Sequence, residues 1–429
     1  MKYNEEMVVI GAKRTPFGRF GGSLRQVDIY DLGAMAMKAA LKESTLAPNQ
    51  IDEVWWGCGD TTNCKDPYTP VVARQSLIKA GIPSSTPSVT LDKACVSGMS
   101  AANYAIGRIL LGEAKIALTG GATSFSTVPY LARNLRWQGV KNGGFQMEDP
   151  LFPLGYKDYA PVAVDSGNVA KTYGITREMQ DELSLASHQK YKTAYENGFY
   201  KETMFPITLE LKKGKKTETV ELNIDEQFRP TITMEALQKL KTIFGNDSIT
   251  AGNSPGLNDG AAAQIITKKS TAEELGLQPL YSILDMVSIA AAPSLLPVAP
   301  ALAIKKALHE SGLTLDDIDV IEINEAFAAV PLVSLRLLSC SAFVNDDYQH
   351  AASIIDHYPV DTFDEAVFHK LIGKLNVNGG AVAIGHANTA SGARIMMNAG
   401  SELRRRGGGL AVCAICGGLT QGDACILRV

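Results

Sequence analysis

The chain repeats itself. Ala36-Met37-Lys38-Ala39-Ala40-Leu41-Lys42-Glu43-Ser44-Thr45-Leu46 aligns without gaps on Ala303-Ile304-Lys305-Lys306-Ala307-Leu308-His309-Glu310-Ser311-Gly312-Leu313. The match continues through Ile51-Asp52-Glu53-Val54 against Ile318-Asp319-Val320-Ile321. Each copy reads as an amphipathic helix, a short loop and a strand. The period is far too long for a solenoid. Two similar α/β halves satisfy it most simply, and 429 residues are enough for more than one core. The same correspondence sets the helix after Cys95 opposite the helix after His386, and residues 117–121 opposite 412–416. A pseudo-twofold axis between the halves would bring equivalent strand ends together.

Those ends carry reactive side chains. Cys95 closes the extended run Val89-Thr90-Leu91-Asp92-Lys93-Ala94, and Ser97-Gly98-Met99 opens a helical pattern. A thiol there faces unpaired backbone N–H groups and the positive end of a helix dipole, both of which favour thiolate. Taken alone, the position suits either a nucleophile or a small core residue. His386 likewise follows Gly385 and precedes a helix carrying Ser391-Gly392. Asn324 ends the apolar run 318–323, and Cys416 ends the run 410–416. Open α/β folds build their sites at such positions.

The net charge of -4 leaves no nucleic-acid footprint. No apolar run approaches membrane-spanning length. Seven cysteines in a chain this long are not a disulfide framework, so the expected compartment is reducing. Residues 1–11 do not read as a signal peptide, and a cytoplasmic location is expected. Between the halves, residues 122–248 differ in character. They hold Gly143-Gly144, Pro150, Pro153, the run Lys212-Lys213-Gly214-Lys215-Lys216, and a helix from Arg177 to Gly198 capped at Thr176. This reads as an inserted lid, with the lysine run at a solvated hairpin tip. The N-terminal half then comprises 1–121 and 249–270, and the C-terminal half 271–429.

Together the blocks resemble the thiolases over nearly the full length. Residues 12–22, Ala12-Lys13-Arg14-Thr15-Pro16-Phe17-Gly18-Arg19-Phe20-Gly21-Gly22, are similar to that family's opening, and Lys93-Ala94-Cys95-Val96-Ser97-Gly98 to its nucleophile motif. Thr250-Ala251-Gly252-Asn253-Ser254-Pro255-Gly256, Asn324-Glu325-Ala326-Phe327, Asn376-Val377-Asn378-Gly379-Gly380 and Gly385-His386 resemble later blocks. The order makes the set specific where one block would not be. The resemblance implies five αβαβα layers with a lid, and a homodimer or homotetramer. It implies thiolysis of 3-ketoacyl-CoA or its Claisen reverse, with coenzyme A and acetyl-CoA as substrates and no tightly bound cofactor. By the same resemblance Cys95 carries the acyl group and His386 takes its proton. Cys416 works at the α-carbon, and Asn324 with His386 forms one oxyanion hole. The N–H groups of Cys95 and Gly418 form another. Arg229, Ser254 and Gly256 stand where the family meets coenzyme A.

The chain also departs from the pattern. Ala387 replaces a proline, Leu419-Thr420 replace glycines, and Pro161-Val162-Ala163 stand where many members have His-Met-Gly. An insertion of about 336–374 brings Asp346, Asp347, His350, His357, Asp361, Asp364 and His369. Their spacing matches no metal motif. The expectation is a polar helical cap over the site's mouth or a partner surface. Two rival readings are a β-ketoacyl synthase, which pairs cysteine with two histidines, and a thiolase-like scaffold without turnover.

Overall fold

The computed structural model describes residues 3, 5–59, 71–140, 142–152, 155–213, 216–355, 358–359 and 362–429. Pro153, Gly214, Lys215, His357 and Asp361 lie outside the described residues.

Near-continuous apolar runs form strands buried on both faces, as expected where helices cover both sides of a sheet. The first half runs β1 (Met7–Arg14), α1 (Ile29–Ser44), β2 (Glu53–Gly57), α2 (Val72–Ala80), β3 (Ser88–Leu91), α3 (Ser97–Leu110) and β4 (Ile116–Thr123). An excursion follows, holding α4 (Val162–Thr172), α5 (Arg177–Glu196) and the hairpin β5 (Ile207–Lys213) and β6 (Lys216–Leu222). The chain returns as β7 (Asn258–Lys268). The second half runs β8 (Tyr281–Ala290), α6 (Ala299–Ser311), β9 (Val320–Ile323), α7 (Ala329–Leu338), α8 (Ser391–Arg406), β10 (Leu410–Cys416) and β11 (Gln421–Arg428).

The strand order is β9-β10-β11-β8-β1-β7-β4-β2-β3, so the halves repeat one order outward from a seam between β1 and β8. At that seam Met7, Val8 and Val9 pair antiparallel with Ile283, Ser282 and Tyr281. α1 and α2 cover the outer face of the first half, α6 and α7 that of the second, and α3 and α8 lie between the halves. The expected αβαβα stack is therefore present.

The repeat places one strand pair a residue out of register. Glu53 pairs with Ala117 and Val320 with Ala411. With Val54 equivalent to Ile321, Leu118 rather than Ala117 is the counterpart of Val412. Ala117 and Ala411 both face the middle layer, while Leu118 and Val412 face outward. A strand buried on both faces shows no polar alternation, so sequence cannot fix its register.

In the lid, Thr176 caps α5 by accepting from Met179 N–H at 3.2 Å. The third helical residue is Met179, so the reciprocal half of a capping box is absent. Lys213 pairs with Lys216, so the lysine run spans a hairpin turn as expected.

Contrary to the expected cap, no described residue of the insertion lines the site's cavity. Phe343, Ala351, Tyr358, Phe368 and Leu371 bury themselves in the outer helical layer of the second half. Its acidic residues serve local structure. Asp347 accepts from the backbone N–H groups of Gln349 and His350, and Asp364 from Val367 N–H, as helix N-caps. Asp346 bonds His350 Nδ1 and the Tyr358 hydroxyl. Across the insertion the Phe363 ring packs at a tilt against Tyr173, next to α4 of the lid.

Candidate active site

Two helix starts meet at the centre of the molecule. α3 and α8 each open on a Ser-Gly pair, and a Cβ on Gly392 would stand 2.6 Å from the Met99 nitrogen. Only glycine permits that approach. It brings the residues just ahead of each helix together.

Cys95 sits in the 3-10 turn Ala94–Val96. Ala94 is held at φ 55°, a left-handed conformation that alanine adopts at a cost. Asp92 Oδ1 fixes it by accepting from Ala94 N–H at 2.8 Å. Ser97 Oγ closes the turn, accepting from Lys93 N–H at 2.8 Å and donating to Ala94 O at 2.6 Å. Behind it Lys93 Nζ pairs with Asp423 at 3.0 Å.

His386 follows Gly385, which lies at φ 105° with room for no side chain: a Cβ would stand 2.7 Å from the Asn258 amide. Asn258 Oδ1 accepts from His386 N–H at 2.9 Å, and its Nδ2 donates to Gly18 O at 3.0 Å. The ring is held at both nitrogens. Nε2 lies 3.0 Å from Cys95 Sγ, and Nδ1 lies 2.8 Å from Ser391 Oγ. Asn324 Nδ2 is farther, 3.4 Å from Nδ1. For Nε2 to receive the thiol proton, Nδ1 must carry the ring hydrogen and donate it to Ser391 Oγ, the shorter of its two contacts.

Asn324 follows β9 and is anchored by its N–H to Ala414 O. Arg394, fully buried, donates from Nη2 to Asn324 Oδ1 at 2.8 Å. A guanidinium has no acceptor, so the amide cannot flip, and its NH₂ faces the histidine. Next to it Glu325 accepts from Ser187, Asn376 and Val382 N–H, which ties the Asn324-Glu325 and Asn376 blocks together.

The electrostatics reverse one sequence expectation. Burial pushes the Cys95 thiol up to about 12, outweighing the helix-start hydrogen bonding. Burial, with the Arg394 charge, pulls His386 down to about 3. The resting pair is a neutral thiol and a neutral imidazole, not a thiolate. Cys416 is buried, and its thiol is likewise raised by desolvation and then by Cys95.

Cys95, His386, Cys416, Gly256 and Gly418 line one cavity of about 280 Å³. Cys413 does not reach it; its Sγ faces the middle layer near Ile395 O. Gly418 N–H donates to Lys93 O at 3.3 Å, so the expected second oxyanion donor is already engaged. The turn after it passes through Leu419 and Thr420 at φ 51° and 59°, left-handed conformations that favour glycine. Ser254 turns inward, donating to Thr250 O at 2.7 Å, and is not part of the cavity wall. Arg229 is exposed and stands away from that wall, its backbone N–H donating to His188 Nδ1.

The sequence matches the Thiolase, N-terminal domain family over residues 7–270 and the Thiolase, C-terminal domain family over 277–429. The chain belongs to the thiolase family. A β-ketoadipyl-CoA thiolase of Pseudomonas knackmussii is 36% identical, the alignment covering 98% of both chains. The mitochondrial 3-ketoacyl-CoA thiolase of Homo sapiens is 35% identical, over 98% of this chain and 97% of that one. The crystal structure of human mitochondrial 3-ketoacyl-CoA thiolase in complex with CoA superposes with a TM-score of 0.84 at 34% identity, covering 99% of this chain and 98% of that one. As a thiolase, the protein is an acyltransferase working on coenzyme A thioesters.

Four residues that shape this thiolase's site were missed as functional in sequence. Ser391, Arg394 and Asn258 lie just beyond the quoted blocks, and nothing in a linear pattern says which side chain meets which. Tyr156 lies in the lid with no motif around it.

Proposed function

We propose that this thiolase cleaves 3-ketoacyl-CoA esters with an apolar acyl chain, using Cys95 as nucleophile and Cys416 as the second acid/base. The observation that carries this reading is the 3.0 Å contact between His386 Nε2 and Cys95 Sγ in a cavity shared with Cys416. The Cys95 proton moves to Nε2 as sulfur attacks the 3-keto carbon, because neither charged partner is stable there alone. Collapse breaks the C2–C3 bond and leaves the acyl group on Cys95. The departing enolate takes its proton from Cys416 at C2, giving acetyl-CoA and a Cys416 thiolate. Incoming coenzyme A returns a proton to Cys416 and attacks the thioester, and Cys95 recovers its proton from His386. Once protonated, His386 Nε2–H would donate to the enolate oxygen, while Asn324, fully buried with Nδ2 3.4 Å from Nδ1, stands behind the ring and off the cavity wall. The test is thiolysis of 3-ketoacyl-CoA by the wild type. A folded protein inert at every chain length would favour the scaffold reading.

The cavity wall supports the acyl class. Phe125, Val128, Leu151, Val162, Leu296 and Phe327 supply it, and no lysine or arginine is among its described residues. A carboxylate at the acyl end would be buried without a counter-charge. We expect unbranched apolar substrates to exceed carboxylate-ended ones of equal length by at least about 10-fold in kcat/KM. Parity between them would overturn this assignment.

Ser391→Ala frees the imidazole to take the wrong tautomer. We expect kcat to fall by about 10-fold or more, since general-base catalysis contributes about 10²–10⁴, with KM little changed. Steady-state kinetics check it, and an unchanged kcat would remove Ser391 from the positioning network.

The terminal strand β3 is only partly buried, with Val89 exposed. An unpaired edge of this kind supports pairing between two copies, and sedimentation should give a dimer or tetramer rather than a monomer. The six described cysteines are free thiols. This supports a reducing compartment, and we place the protein in the cytoplasm; cell fractionation would contradict this by recovering it elsewhere.

A further inference from the structure

We infer that Tyr156 is a catalytic residue: its phenol donates a hydrogen bond to the oxygen of the acyl group as that group is carried to and from Cys95. The inference rests on the thiolase reading above. Tyr156 belongs to the lid, a few residues ahead of α4, and lines the same cavity as Cys95, His386, Cys416 and Gly418. A Cβ built on Gly418 would lie 2.8 Å from the Tyr156 hydroxyl oxygen and 3.3 Å from the Ala94 Cβ. The phenol therefore packs directly on the loop after Cys416, beside the turn that holds Cys95.

Two further observations give the hydroxyl its role. Among the described residues its hydroxyl makes no hydrogen bond, and Tyr156 is 39% exposed, so the phenol is accessible to a ligand. The backbone donor beside it, Gly418 N–H, is directed at Lys93 O. Gly418 N–H is thus engaged while the Tyr156 hydroxyl beside it is not, and the hydroxyl would join Cys95 N–H in meeting a tetrahedral oxyanion on Cys95. Burial raises the phenol's pKa well above its ordinary value, and the nearby Cys95, Asp92 and Cys416 raise it further. Tyr156 stays protonated through the cycle. It serves as a fixed donor, and no proton leaves it.

The remaining candidate role is that of a wall residue filling space. Tyr156→Phe separates the two, because it keeps the ring and removes only the donor. Steady-state thiolysis, acylation of Cys95 by acyl-CoA followed by mass spectrometry, and iodoacetamide alkylation of Cys95 are measured on wild type and variant. Loss of an oxyanion donor slows a reaction by about 10²–10³ where the donor is fully committed. Here we expect kcat and the acylation rate to fall by about 10–100-fold. KM should stay within about threefold, and alkylation, which forms no oxyanion, should be unchanged. A variant that turns over within twofold of an active wild type would sink the role of Tyr156 alone. So would a parallel fall in alkylation, which marks a structural effect. A folded wild type with no turnover would instead remove the thiolase reading, and this role with it.

Discussion

Replacing Cys95 with alanine reduces thiolysis by at least about 10⁴-fold, the scale seen when a nucleophile in a coupled catalytic set is removed. The reason lies in the geometry. Cys95 has a base 3.0 Å away, whereas Cys416, buried beside it, forms no hydrogen bond to a histidine among the described residues. The variant should keep its melting temperature, since a half-buried sulfur is all that is lost. Disappearance of 3-ketoacyl-CoA in the presence of coenzyme A is the measurement, and residual activity within tenfold would move the nucleophile elsewhere. The same pair has a pH signature. With the thiol raised to about 12, the thiolate is a minority at any pH below that and its share grows as pH rises. The imidazolium is populated only below about 3. Alkylation of the resting enzyme by iodoacetamide should therefore climb through pH 9. A plateau reached below neutrality would mean that the pair rests as thiolate and imidazolium after all.

The largest stability effect is expected far from the chemistry. Arg14 and Asp225 form a fully buried, bidentate pair at 2.7 and 2.8 Å. Asp225 also accepts from Phe17 N–H and the Tyr191 hydroxyl. The guanidinium lies over the rings of Phe17 and Tyr200, 5.2 and 5.4 Å from their centroids. This pair ties the opening residues 12–22 to the lid. Asp225→Ala leaves a buried cation without its partner, which costs about 3–5 kcal/mol. The double replacement Arg14→Met with Asp225→Leu should lose much less, because it removes both charges together. Urea unfolding of the three proteins decides it. A single variant within about 1 kcal/mol of wild type would mean that water reaches the guanidinium.

Much of this architecture can be read from the chain because it is written twice. The repeat of residues 36–54 in 303–321 announces two halves, and Cys95 and His386 stand just ahead of the equivalent helices α3 and α8. What the sequence does not carry is register and pairing. Residues 117–121 and 412–416 are apolar on both faces, so the one-residue offset between them is invisible without the strand partners. Asn258 and Arg394 act through contacts across the fold, 240 residues apart in the case of Asn258 and Gly18, and Ser391 through a side-chain contact within its own helix start. The thiolate expected at Cys95 failed for a different reason. A helix start favours charge at the surface, but burial disfavours it more strongly here. The insertion misled by composition: its aspartates look like ligands or a polar cap, but Asp347 and Asp364 are helix caps and Asp346 bonds His350 and Tyr358.

The seam strand has a consequence for how the chain is made. β1 leaves the ribosome first, yet its neighbours β7 and β8 begin only at Asn258 and Tyr281. At roughly 5–20 residues per second the first strand waits on the order of ten seconds or more for its partners. During that interval an apolar segment destined for the centre of the sheet has no edge to join, and such long-range pairing is inherently slow. Ribosome-bound chains stopped before residue 258 should stay protease-sensitive at their amino end, with resistance arriving only once both partner strands have emerged.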